Sequence, residues 1–106
     1  MWNNSAPADR LGDCVTHLSI RRDPGFGYEI GYGGSSSGWA PPGFLRITAV
    51  LMVDGQREGS VSDARRGRNV DTPTGTDFRR SLRSATVTVG ADGPAGSVSC
   101  QETSRM

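Results

Sequence analysis

The sequence predicts an all-β fold: a small antiparallel β-sandwich of six or seven strands, immunoglobulin-like in the broad sense, with a small β-barrel as the alternative. Three observations carry this. Short runs of alternating apolar and polar residues recur at roughly ten-residue spacing, the signature of half-buried strands. The 15 Gly and 6 Pro fall largely between those runs, where turns are needed. The only two cysteines, Cys14 and Cys100, both sit in the apolar phase of such runs, one near each end of the chain.

Residues 1–12 are polar, contain Pro7 and Gly12 and lack periodicity, so they read as a flexible tail before a single domain spanning 13–102. In 14–20, Cys14, Thr16, Leu18 and Ile20 share one face, and Val15, His17 and Ser19 the other; only Thr16 is an imperfect inward residue. Arg22-Asp23-Pro24-Gly25 is a turn, because Pro fixes φ and Gly accepts the positive φ that follows. Phe26, Tyr28, Ile30 and Tyr32 then alternate with Gly27, Glu29, Gly31 and Gly33. The aromatic face is expected to be buried, while the glycine face leaves room for something to lie close against the backbone. Residues 33–43 form a Gly/Ser/Pro loop around Trp39.

The longest apolar run, 44–53, places Leu45, Ile47, Ala49, Leu51 and Val53 on one face and Phe44, Arg46, Thr48, Val50 and Met52 on the other. Apolar residues on both faces suit a central strand, and Pro41-Pro42-Gly43 before the run argues against a helix. Val53-Asp54-Gly55-Gln56 is a two-residue type I′ hairpin. The return over 56–62 is polar except for Val61, as an edge strand would be. Residues 63–77 read as a long loop with a brief strand near Asn69-Val70. Phe78 and Leu82, spaced i and i+4, fit one helical turn capped at Thr76 or Asp77 as well as they fit a ragged strand. Ala85, Val87 and Val89 alternate with Ser84, Thr86 and Thr88. After a turn at Ala91-Asp92-Gly93-Pro94 the chain returns through Val98 and Cys100, and 103–106 is a tail.

With 106 residues and 34% apolar content, the core is thin. Net stability of about 5 kcal/mol or less is the expectation for such a core. A bond between Cys14 and Cys100 would close a loop of about 86 residues, worth roughly 4.5 kcal/mol in the chain-entropy model. The competing reading is two separate buried thiols. A disulfide implies an oxidising compartment: extracellular, periplasmic or cell-surface. No signal peptide is visible and no run approaches the ~18 apolar residues of a membrane span, so export rests on the cysteines alone. All twelve basic residues are Arg, which a high-GC bacterial genome explains; the functional alternative is selection for bidentate anion contacts. A net charge of +1 supplies no global field toward nucleic acid or anionic membrane.

Catalysis is poorly supplied, and no cofactor or metal is expected. His17 is the only histidine, which excludes a histidine-rich metal site and two-imidazole mechanisms. Without Lys there is no Schiff-base nucleophile and no phosphate-loop lysine. No Gly-x-Ser-x-Gly elbow accompanies His17 and the twelve serines. The carboxylates fall mostly at turns, such as Asp23, Asp54 and Asp92; Glu29, between glycines, is the exception and reads as a solvated outward side chain.

Binding is better supplied. Trp39, in a Gly/Ser/Pro loop, suits stacking on a sugar or anchoring a protein contact, or it lids one end of the core. Arg65, Arg66 and Arg68, with Arg79, Arg80 and Arg83 further on, form a basic stretch interleaved with Asp63, Asp71 and Asp77. It suits an anionic ligand, or a solvated and internally paired loop. The leading expectation is a non-enzymatic exported module that binds a protein or surface ligand through loops 33–43 and 63–77. The alternatives are a protease inhibitor presenting Arg65, Arg66 or Arg68, and a structural component of a virion or appendage.

Overall fold

The computed structural model describes residues 10–106; the expected tail over 1–9 lies outside the described residues. Eight strands follow one another: β1 (Val15–Asp23), β2 (Gly27–Ser36), β3 (Gly43–Val53), β4 (Gln56–Gly67), β5 (Val70–Asp71), β6 (Gly75–Arg79), β7 (Ser84–Gly93) and β8 (Gly96–Arg105). They form two antiparallel sheets, β1–β2 with β5 and β6 both on the far side of β2, and β4–β3–β7–β8. β5 pairs with Ser35–Ser36 and β6 with Tyr28–Tyr32, so the two are pieces of one edge strand broken at Thr72-Pro73-Thr74. Counted so, three strands face four. This is the expected sandwich; the sheets do not close into a barrel.

The inward phases pack together. Leu45, Ile47, Ala49, Leu51 and Val53 of β3 face Ala85, Val87, Val89 and Ala91 of β7 and, across the sandwich, Ile30 and Tyr32 of β2. Half-buried Cys14, Leu18 and Ile20 extend this core under β1. Both φ angles of the Asp54-Gly55 turn are positive, 49° and 86°, which is the type I′ geometry that matches strand twist.

The two sheets are clasped at both margins. Along one, Cys14 and Cys100 lie at disulfide distance, with Cα atoms 5.9 Å apart, and the Thr16 hydroxyl donates to Glu102 (2.9 Å). Along the other, Arg79 of β6 pairs with Glu58 of β4 and, at 3.0 Å, with Asp77 of its own strand.

Several boundaries differ from expectation. β4 continues to Gly67, so 63–67 is strand and not loop. β2 likewise absorbs 33–36. Residues 103–105, expected as tail, pair with Ser84–Thr86 of β7, and Arg10–Gly12 belong to the fold, with Arg10 bridged to Ala40. No helical turn forms at 76–82: Phe78 lies in β6 and is exposed, while Leu82 is buried. Phe26, expected inside, is 41% exposed. It is the last residue of a three-residue turn, and the positive φ of Gly27 (116°) breaks the alternation there. Its ring instead meets Phe78 edge-to-face, 5.4 Å between centroids.

Candidate functional site

The expected loops do converge at one end of the sandwich, as the short links Ser37–Pro42 and Arg68–Asn69. They are tied to each other: the Trp39 N–H donates to the Arg68 carbonyl (3.2 Å), and the Arg68 guanidinium donates back to the Trp39 carbonyl (3.3 Å).

Trp39 is not a contact surface. It is 0% exposed, its indole N–H donates to Ser36 Oγ (2.8 Å), and the Ser36 hydroxyl donates in turn to the Asp13 carbonyl. Gly12 and Gly93 lie against the ring so closely that a β-carbon at either position would collide with it. An aromatic with both faces covered cannot stack on a ligand, so the binding reading of Trp39 gives way to the core reading.

The arginines separate for a related reason. Arg65 and Arg66 are consecutive in β4 and therefore project to opposite faces. Arg65 sits opposite Leu45, and Arg66 opposite Phe44. All three of Arg65, Arg66 and Arg68 are exposed. Two of the interleaved acids are engaged locally: Asp63 accepts from the Ala64 N–H (2.8 Å) and Asp77 holds Arg79. Among the described residues, none of Arg46, Arg65, Arg66 and Arg68 forms an ion pair.

A group that the expectations did not single out completes this end. Phe44 is 47% exposed on the outer face of β3, and the Arg46 guanidinium lies over its ring, 5.5 Å from the centroid. Arg66 is the cross-strand neighbour of Phe44 on that face, a position that brings β-carbons to about 4.5–5.5 Å. On the other side Arg46 faces Asp92 across β7; Phe44, Arg46, Asp92 and Gly93 enclose an open depression of about 360 Å³. The signal was present in the strand phase: Phe44 and Arg46 alternate with the buried Leu45 and Ile47, and so share the exposed face.

The chemistry available here is recognition. Two unpaired guanidinium groups beside an exposed ring favour planar anions and carboxylates. His17 is exposed on β1, with Nε2 3.3 Å from Ser35 Oγ, and no acid lies on its other nitrogen among the described hydrogen bonds. Among the described residues no group of three or more His, Cys, Asp or Glu is placed to hold a metal ion, and no helix is long and apolar enough to cross a membrane. No protein-family model, curated protein or solved structure matches the chain.

Proposed function

We propose that this protein is a non-enzymatic, exported β-sandwich module that engages acidic groups of a protein or surface ligand through the end carrying Phe44, Arg46, Arg66 and Arg68. The observation that carries the reading is the exposed Phe44 ring with Arg46 over it and Arg66 opposite, neither arginine ion-paired among the described residues. The Cys14–Cys100 pair supports an oxidising compartment. Against the inhibitor alternative, the backbones of Arg65 and Arg66 are committed to the ladder with β3, whereas an inhibitory loop must offer its backbone to the protease.

Retention on immobilised poly-glutamate at physiological salt tests this, with immobilised poly-lysine as the control. The protein should be retained on the acidic resin alone, and the double substitution Arg46→Glu/Arg66→Glu should abolish retention while leaving the melting temperature near that of the parent. Equal retention of the parent and the double variant would sink the assignment.

A further inference from the structure

We propose that the outer face of the smaller sheet carries a second site, a trough along β2 that binds a neutral saccharide chain. In register across β1, β2 and β6, the outward rows are His17–Gly33, Ser19–Gly31–Thr76 and Arg21–Glu29–Phe78. The middle strand of this face therefore has almost no side chains, and the flanking strands form walls. Two adjoining depressions follow this line. One, of about 490 Å³, reaches His17, Ser19, Gly31, Gly33 and Thr72–Thr74. The other, of about 390 Å³, reaches Ser19, Arg21, Glu29, Gly31 and Thr76. From Gly33 to Glu29 the trough runs four residues along β2, roughly 13 Å at strand rise.

The lining selects the ligand class. The walls are hydroxyl-rich, and Ser19, Thr74 and Thr76 line the trough without side-chain hydrogen bonds among the described residues. Glu29 is paired with Arg21, and Glu102, at the rim of the larger depression, accepts from the Thr16 hydroxyl. Among the described residues the lining offers no unpaired arginine, so the face favours a neutral ligand over an anion. At one end the Phe26–Phe78 pair exposes apolar rings, Phe78 being 57% accessible. Such rings suit the C–H face of a pyranose, and the hydroxyls suit its rim. An extended peptide fits less well, because it is held by backbone hydrogen bonds. The backbone of β2 is already paired on both sides, with β1 from Gly27 to Ser35 and with β6 from Tyr28 to Tyr32. Glu29, unexplained by any turn, gains a role in the floor of this trough.

The test is amide NMR titration with cellohexaose, maltohexaose and N,N′-diacetylated chitohexaose at millimolar concentration. At least one should shift the amides of Gly31, Gly33, Thr74 and Thr76. Phe78→Ala, an exposed position, should weaken that binding about tenfold. Gly31→Val should do so by filling the trough; its β-carbon meets only the Ser19 hydroxyl, which can rotate aside. Arg46→Glu/Arg66→Glu should leave saccharide binding unchanged, which separates this site from the acidic-ligand surface. Absence of shifts with all three sugars overturns the proposal. So do shifts confined to the Phe44–Arg46 end, or binding that Phe78→Ala and Gly31→Val both leave intact.

Discussion

Asp54 does two jobs at one position. Its positive φ starts the type I′ turn, and its carboxylate accepts the N–H groups of Arg83 (2.9 Å) and Ser84 (3.0 Å), holding the start of β7 beside the β3–β4 hairpin. Those bonds, Ser84's first and then Arg83's, keep its carboxyl below the ordinary Asp range. Because the folded pKa lies below the unfolded one, the stabilisation is fully present above the unfolded value, near pH 4, and is lost as pH falls through the folded value. Asp54→Asn keeps an acceptor oxygen and tolerates the left-handed turn. Because a neutral amide stands in for the protonated acid, it should lower the neutral-pH melting temperature modestly and flatten its fall below about pH 4, where the parent loses the same stabilisation. An acid limb as steep as the parent's would show that Asp54 is not a source of the pH dependence. Trp39 illustrates the opposite limit of residue-level reading. Its side chain suits both ligand and core in the sequence, and the approach of Gly12 and Gly93, distant in sequence, decides for the core.

At the level of elements, strands with one apolar phase are legible and polar edge strands only in part: 56–62 reads as an edge strand because a type I′ turn precedes it, while its continuation to Gly67 does not. β3 and β7 alternate cleanly because one face of each is buried. The second half of β4 (Ser62–Gly67) and the last residues of β8 (Gln101–Arg105) are almost wholly exposed. Their backbones are set by the ladders with β3 and β7, which hydrophobic alternation does not record. The same blind spot gathers the basic stretch wrongly: a loop would bring Arg65, Arg66 and Arg68 together, whereas the strand deals Arg65 and Arg66 to opposite faces. Phe44 and Arg46 are legible in phase, but apolar residues on both faces of a central strand conceal that their face is open. The ionic clasp between β6 and β4 was invisible, since it joins Arg79 to Glu58 across sheets. Its side chains are about a quarter to a third exposed (31% and 25%), so Arg79→Met should cost only about 0.5–1 kcal/mol in denaturant unfolding. That cost should shrink in molar salt, where the attraction is screened. A cost indifferent to salt would assign the effect to packing of the aliphatic stem instead.

For the molecule as a whole, the two margins of the sandwich are unequal. One has the partly exposed Arg79 clasp. The other brings β1 and β8 side by side with no ladder between them, joined by Thr16–Glu102 and the cysteine pair. β1 is bonded only to β2, so without the cystine the first strand is held by one ladder and a few half-buried side chains. The cystine closes 86 residues of sequence separation, nearly the whole domain, which restricts the unfolded ensemble more than any local link would. The double substitution Cys14→Ala/Cys100→Ala should therefore cost about 4.5 kcal/mol in the chain-entropy model. It should also raise the denaturant m-value, because the unlinked chain exposes more surface on unfolding. Reduction of the parent should reproduce both effects, and alkylation of the unreduced native protein should label neither cysteine. A stability change below about 1 kcal/mol would instead mean that core packing alone closes this margin, and the argument for an oxidising compartment would lose its energetic basis. With the bond formed, the frame is fixed independently of the Phe44–Arg66 end and of the glycine trough, so substitutions at either surface can be read as binding effects and not as unfolding.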